Sequence, residues 1–275
     1  MADLFNYQTL HTSLHSASKS LIVEINRPTE QNAINEQMIM EIESLLSWAT
    51  THLEINSILF RSFDKEIPFS IGPDDQEIQT MSAEQFYTFL RRLQNIVYSL
   101  FFLPQTIVMD LGKGAMGLAA ELAVGADLRL ATQDTIIHFN HLQKGLTPFC
   151  GGIGQLCALV APTWARQWIL SGKEIKAEEL YQSGFINTIY EENSPWEEIL
   201  MNIAAQAPVA RIQAKRSFLE TILPLLDRAA KEKEFAMAAL ATGDWRVGHS
   251  PQHPKFKSAR DVAQIVKEKS RTVQN

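Results

Sequence analysis

The sequence predicts an α/β fold, and two patterns carry that prediction. Short β-branched runs alternate along the chain with longer stretches whose apolar residues recur at helical spacing. The strand-like runs cover residues 20–25, 57–61, 106–110 and 185–190. Alternation of strands and helices is typical of α/β proteins, in which helices cover the faces of a mostly parallel sheet.

Two helices between these runs are predicted from their starts and their apolar faces. Ser82 and Gln85 have the spacing of a capping box, and an apolar stripe follows them until Pro104. A second helix is predicted to begin near Asn35, with Met38 among its inward residues. Both stripes are interpreted as core-packing faces.

The last quarter of the chain is predicted to be helical. From Pro208 onward the sequence is rich in Ala, Lys, Glu and Leu, with Pro224 expected as an internal break and a loop carrying glycines and prolines near residues 243–254. We therefore divide the chain into a core of residues 1–200 and a helical C-terminal region of residues 201–275.

Composition excludes several classes of function. The 275 residues are 45% hydrophobic and carry 25 basic against 31 acidic side chains, a formal charge of −6 that disfavours nucleic acid as a partner. The two cysteines, Cys150 and Cys157, lack the spacing of a zinc site or a disulfide framework, so we expect no metal. The N-terminus lacks the pattern of a secretory signal and no apolar run is long enough to cross a bilayer, which predicts a cytoplasmic protein without membrane contact.

A glycine-rich turn leads from a predicted strand into an apolar helix and carries the first candidate for chemistry. Gly112, Gly114 and Gly117 stand in this turn, which would present free backbone N–H groups to an anionic group. Glu121 follows in the first turn of the helix, where a carboxylate among apolar residues needs a polar partner or a function.

Five segments, in order, resemble the signatures of the crotonase superfamily, the enoyl-CoA hydratase/isomerase group. These segments are NRPTEQNAIN at 26–35, PFSIGPD at 68–74, GLAAELAVGAD at 117–127, GLTPFCGG at 145–152 and LSGKEIKAEELYQSGFIN at 170–187. The resemblance implies a spiral of ββα turns with a helical C-terminal oligomerisation region that packs in a homotrimer or a dimer of trimers. It also implies an acyl-CoA or acyl-carrier thioester as ligand, with CoA entering as part of the substrate and no separate cofactor.

The resemblance also implies specific site residues. Two backbone N–H groups hold the thioester oxygen in this superfamily, and by position these belong to Ile71 and Leu118. Two preorganised donors lower the barrier to forming an oxyanion. Leu118 stands where the superfamily commonly has glycine, and its side chain can restrict the backbone or the approach of the thioester. Ala33 falls where the superfamily's backbone contacts the adenine end of CoA, and it is equally explained as an ordinary residue of a strand-to-helix loop. Gly72 is the second expected substrate-binding position.

One of the two glutamates that hydratases of this superfamily use is matched, and the other is not. Glu121 matches the first. Counting back from Gly145 places His141 at the second position, whereas counting forward from Phe139 places Gln143 there. His141 can act as an acid or base near neutral pH, and Gln143 can only orient a ligand.

Two functions follow from this pattern. The first is an enzyme on an acyl-CoA thioester that works through the oxyanion hole and one glutamate. Such a pair supports a one-base shift of a double bond or the quenching of an enolate after decarboxylation, whereas two-glutamate hydration is disfavoured. The second is a catalytically impaired protein of the same fold that binds acyl thioesters or serves as a scaffold. Cys150 is interpreted as a small buried residue rather than a nucleophile.

Overall fold

A computed structural model describes residues 4–250 and Phe256; within the long C-terminal helix, the side chains of 225–231 and of 233 are not described. The strands are β1 Leu10–His15, β2 Ser20–Ile25, β3 Ser57–Ser62, β4 Thr106–Asp110, β5 Gly114–Met116, β6 Leu128–Thr132, β7 Ile136–His138, β8 Ile175–Lys176 and β9 Thr188–Tyr190. The helices are α1 Glu36–Ala49, α2 Asp75–Thr80, α3 Ala83–Phe102, α4 Leu118–Val124, α5 Leu156–Leu159, α6 Pro162–Ser171, α7 Ala177–Gln182, α8 Trp196–Ala204, α9 Pro208–Thr242 and α10 Asp244–Gly248.

Two sheets organise the chain. The larger has the strand order β1-β2-β3-β4-β6-β9, in which β1 and β2 pair antiparallel and every later pair is parallel. The smaller has the order β5-β7-β8, with β5 and β7 parallel. The α/β class and the strand-helix alternation are confirmed.

The predicted starts of α1 and α3 are confirmed by their caps. The Asn35 side chain accepts a hydrogen bond from the Met38 N–H at 2.9 Å, and Ser82 with Gln85 forms a complete capping box. Since these side chains satisfy N–H groups that lack partners within the helix, they fix where each helix begins. Leu103 follows α3 as its C-cap, immediately before Pro104.

Two predictions about single elements are wrong. The predicted strand at 185–190 is shorter, because residues 185–187 lie in the turn after α7 and only β9 pairs with β6. Pro224 does not break the C-terminal helix, since α9 continues through it. Proline removes one N–H donor, and the carbonyl four residues earlier belongs to exposed Glu220, where water can replace that donor.

The C-terminal helices belong to the same hydrophobic core as the strands. Ala236, Leu240 and Trp245 are buried in the main cluster, and Trp245 packs on the ring of Phe86 in α3. A third prediction is also corrected: residues 244–248 of the predicted loop form α10 instead. The loop residues Pro251 and Pro254 lie outside the described residues. Within residues 4–250, no helix combines the length and apolar character that crossing a bilayer requires.

Candidate active site

Pairing between short segments brings the two predicted oxyanion donors to neighbouring turns. Ser70 forms a parallel bridge with Ala115 of β5, and the Met116 N–H donates to the Ser70 carbonyl at 3.0 Å. Gly72 has φ +93°, and a Cβ there would lie 2.8 Å from the Met116 oxygen and 3.7 Å from the Leu118 nitrogen. The loop of Ile71 therefore runs directly beside the first residue of α4, and glycine is required at 72.

The backbone N–H groups of Ile71 and Leu118 differ in their hydrogen bonding. The Ile71 N–H makes a long 3.4 Å bond to the Gln31 carbonyl, in a residue that is half-buried. Leu118 is the first residue of α4, where an N–H has no intrahelical acceptor. Its side chain is 1% exposed and packs in the core, and it is Gly117 before it that takes the positive φ of 52°. The leucine is therefore accommodated without backbone strain.

Glu121 is completely enclosed, one helical turn after Leu118. One carboxylate oxygen accepts from the Phe149 N–H at 3.2 Å, and the other accepts from the N–H groups of Cys150 at 2.7 Å and Gly152 at 2.8 Å. A Cβ at Gly152 would lie 2.6 Å from the carboxylate, so only glycine permits this approach. The polar partner that a buried carboxylate needs is thus the backbone of the loop at 149–154, which we call the amide loop.

Of the two candidates for the second acid/base position, His141 is the one that lies beside Glu121. Its Nε2 lies 2.7 Å from the Glu121 Oε1, in a side chain that is 2% exposed. The angle of this contact is not that of a hydrogen bond, and neither ring nitrogen has such a partner among the described residues. Gln143 is exposed, and its amide donates to the Gly172 carbonyl at 2.9 Å. His141, not Gln143, therefore faces the candidate acid/base.

Sequence reasoning missed a second carboxylate, Glu232 of α9. It is buried, and its two oxygens accept from the Gly151 N–H at 3.2 Å and the Gly154 N–H at 2.8 Å. Burial, followed by the nearby charge of Glu121, raises the pKa of Glu232 to about 7, against the opposing effect of its backbone hydrogen bonds. No signal in the sequence distinguishes it, because it stands in a run of Lys and Glu that is typical of a solvated helix face.

The thiol beside Glu121 is not an activated nucleophile. Cys150 is fully buried, and burial together with the Glu121 and Glu232 charges raises the pKa of its thiol well above the ordinary value. A thiol must ionise to attack, so this cysteine is inert near neutral pH. Its interpretation as a buried residue is confirmed.

The two residues predicted to bind substrate, Ala33 and Gly72, lie on segments that a backbone hydrogen bond joins. The Ala33 N–H donates to the Glu30 carbonyl, and the Ala33 carbonyl accepts from the Arg27 guanidinium. The Gly72 carbonyl accepts from the Ile34 N–H at 2.7 Å. This link fixes the first motif against the loop of Ile71 and Gly72.

Two cavities lie away from Glu121. A cavity of about 820 Å³ lies between α9 and the larger sheet, and one of about 260 Å³ lies between α1 and α3; neither is lined by Glu121. Across residues 4–250 and Phe256, no group of three or more His, Cys, Asp or Glu side chains is placed to hold a metal ion.

This chain is similar to known proteins both in sequence and in fold. The sequence model of the family described as "Enoyl-CoA hydratase/isomerase" matches residues 17–241. Human "Enoyl-CoA hydratase domain-containing protein 2, mitochondrial" is 25% identical over 68% of this chain and 66% of its own length, just under two thirds. The "Short-chain-enoyl-CoA hydratase" of Clostridium acetobutylicum is 26% identical over 72% of this chain and 76% of its own.

A solved structure confirms the predicted spiral fold. The crystal structure of an enoyl-CoA hydratase from Mycobacterium avium subsp. paratuberculosis K-10 superposes with a TM-score of 0.80 at 20% identity. It covers 92% of this chain and 100% of the other. At this identity the likeness shows the fold, and the chemistry has to be argued from the site.

Proposed function

The chain belongs to the enoyl-CoA hydratase/isomerase family, and from that premise we propose that it is an enzyme acting on an acyl-CoA thioester. The observation that carries the proposal is the juxtaposition of the Ile71 loop, the first turn of α4 and Glu121. CoA enters as part of the substrate, and an acyl-carrier thioester presents the same reacting group.

The proposed chemistry begins with the thioester oxygen. The N–H groups of Ile71 and Leu118 donate to this oxygen as negative charge develops on it, which stabilises an enolate. Glu121 takes a proton from one carbon of the acyl chain and returns it to another, which moves the double bond with no net change in atoms. His141 is the second group in reach of this proton.

Addition of water requires more than one proton-transfer group. The hydroxyl of water would bond to the β carbon, and a proton would be delivered to the α carbon. Glu121 and His141 would have to divide these roles, because a backbone N–H group can donate a hydrogen bond but cannot accept a proton. The one-base shift is therefore the favoured reaction, and hydration through His141 is the second.

The enclosure of Glu121 supports a competing function. Three amide donors and the His141 contact take up the acceptor positions of a carboxylate that is 0% exposed. A side chain held in this way can simply stabilise the amide loop. The competing proposal is a catalytically impaired member that binds acyl thioesters or serves as a scaffold.

One assay separates these functions. The purified chain is mixed with crotonyl-CoA and, separately, with a 3-enoyl-CoA, and the conjugated enoyl absorbance is followed; hydration lowers it and isomerisation raises it. We expect Glu121→Gln to lower turnover by about 10²-fold or more. Glu41→Gln is the matched control, since Glu41 is a buried carboxylate that accepts from the Gln8 and Thr9 N–H groups, far along the chain from Glu121.

Calorimetric titration with CoA completes the assay. Binding without turnover of any thioester supports the impaired member, and equal turnover by Glu121→Gln removes Glu121 from the mechanism. Absence of both binding and turnover supports the scaffold.

Assembly and location remain proposals. We propose a homotrimer or a dimer of trimers, supported by exposed apolar side chains: Phe218 of α9, which lines the larger cavity, and Phe102 of α3, which lines the smaller one. The cytoplasmic location is likewise a prediction, and the human relative is named as mitochondrial.

A further inference from the structure

The amide loop is held between two buried carboxylates that belong to different parts of the chain. The N–H groups of residues 149, 150 and 152 donate to Glu121 of α4. Those of residues 151 and 154 donate to Glu232 of α9. The donors to Glu121 and the donors to Glu232 are interleaved along the loop. The loop therefore cannot move away from one carboxylate without changing its geometry at the other.

Access to Glu121 depends on this loop. Glu121 is 0% exposed, and the loop supplies all three of its backbone donors. A shift of the loop would therefore release the carboxylate oxygens for contact with a substrate. Glu232 makes the bonds that oppose such a shift on the other side of the loop.

We propose that Glu232 is a positioning residue for Glu121. It holds the amide loop in the arrangement in which the loop is bonded to both carboxylates, which we call the seated loop, and its protonation decides whether Glu121 stays enclosed. The residue itself touches no reacting atom. The inference rests on the proposed function only for its effect on turnover, because seating of the loop is observable without a substrate.

The groups that face Glu232 leave its charge without a cationic partner in the described part of the chain. Besides Glu121, they are Tyr98 of α3, Cys150 of the loop and Cys157 of α5. Burial raises the pKa of Tyr98 to about 12, and its hydroxyl has no hydrogen-bond partner among the described residues. Each of these groups is neutral or negative near pH 7, so none stabilises an ionised Glu232.

The direction of the pH effect follows from the two states of the loop. With the loop seated, the pKa of Glu232 is about 7, and in water it returns toward 4.5. Protonation therefore favours the seated loop. Opening becomes more favourable as the pH rises from about 4.5 to about 7, and it levels off above the upper value.

Hydrogen exchange of the amide loop tests this directly. Protection of peptides that cover 149–154, corrected for intrinsic exchange rates, is measured between pH 5 and pH 8 in the full chain. We expect protection to fall by about tenfold per pH unit up to pH 7 and then to level off. Glu232→Gln removes the titrating group, so its protection, whatever its level, should not change with pH, whereas the control Glu41→Gln should follow the unmodified protein.

Two results overturn the inference: protection that is independent of pH in the unmodified protein, or an identical profile in Glu232→Gln. The first needs no variant, so a folding defect in Glu232→Gln leaves the test intact.

Turnover gives the second readout. We expect kcat to rise between pH 5 and pH 7 in the unmodified protein, and this rise to be absent in Glu232→Gln with KM unchanged. A uniform loss at every pH would indicate a merely structural role and would contradict the inference. Loss of protection with pH in a protein that turns over no thioester would leave the inference standing and remove the proposed function alone.

Discussion

Leu118 shows how one residue separates the role of a side chain from that of its backbone. The side chain is buried in the core, while the N–H at the start of α4 is the proposed oxyanion donor. We expect Leu118→Ala to lower the free energy of unfolding by about 3 kcal/mol, because a buried leucine is lost and a cavity remains. Turnover should stay within a few-fold, since alanine retains the N–H; thermal unfolding and the enoyl absorbance assay measure both.

Leu118→Pro is the matched control for that prediction. It also removes the buried side chain, but in addition it deletes the N–H, at the first helical position, where the proline ring is best accommodated. Turnover should fall about 10²- to 10³-fold relative to Leu118→Ala. Equal turnover by the two variants would exclude this N–H as a donor.

Single residues also show what a sequence can and cannot reveal about the site. Glu121 was predictable because a carboxylate in an apolar helix needs a partner, and His141 because its position was counted from a motif. Glu232 was not, since its surroundings in the sequence are those of a surface helix. Its burial depends on α9 packing against the amide loop, a tertiary contact that no local pattern encodes.

Among the elements, α10 is tied to the start of α2, shortly after the Ile71 loop. His249 follows α10, and its Nδ1 lies 2.6 Å from Asp75, the first residue of α2. Lys144 lies 2.6 Å from the other Asp75 oxygen. Gly248 permits the close packing, since a Cβ there would lie 2.3 Å from the Lys144 backbone. Asp75 thus ties α10 to the segment that continues from the Ile71 loop.

Breaking this tie should loosen α10. We expect Asp75→Asn to raise the rate of tryptic cleavage after Arg246 by about two- to fivefold, the range for a partly exposed ion pair. Burial opposes ionisation of Asp75, but the hydrogen bonds from His249 and Lys144 outweigh it and lower its pKa below 3.8. The same loosening should therefore occur on acidification only below about pH 4.

The control for this experiment is Glu66→Gln, which removes an exposed ion pair with Lys113 away from α10. Cleavage after Arg246 that is the same in Asp75→Asn, in Glu66→Gln and in the unmodified protein would contradict the role given to Asp75.

At the scale of the whole molecule, the fold class could be predicted from the sequence more accurately than the bounds of single strands and helices. Strand periodicity and helix caps placed β2, β4, α1 and α3 correctly, because those signals are local. The start of β9 depends on its pairing with β6, and the continuity of α9 through Pro224 depends on solvent exposure. The C-terminal region, which the sequence analysis divides from the rest of the chain, shares the main core through Trp245 and its neighbours.

Assembly is testable at this scale. Phe218 is 72% exposed and lines the larger cavity. We expect the unmodified chain to sediment as a multiple of three, and Phe218→Asp to raise the subunit dissociation constant about tenfold or more, because burial of a phenylalanine is lost. Leu53→Asp, at an exposed residue after α1, is the control. A monomeric unmodified chain would contradict the proposed assembly.

The most direct measurement of the central claim is exchange of the α hydrogen of a saturated thioester. Butyryl-CoA in D₂O offers no double bond to hydrate or move, so incorporation of deuterium at its α carbon reports only enolate formation and proton transfer. We predict incorporation with the unmodified chain and a loss of about 10²-fold or more with Glu121→Gln. Equal incorporation by both proteins, or none by the unmodified chain, would contradict the claim that Glu121 moves a proton beside the N–H groups of Ile71 and Leu118.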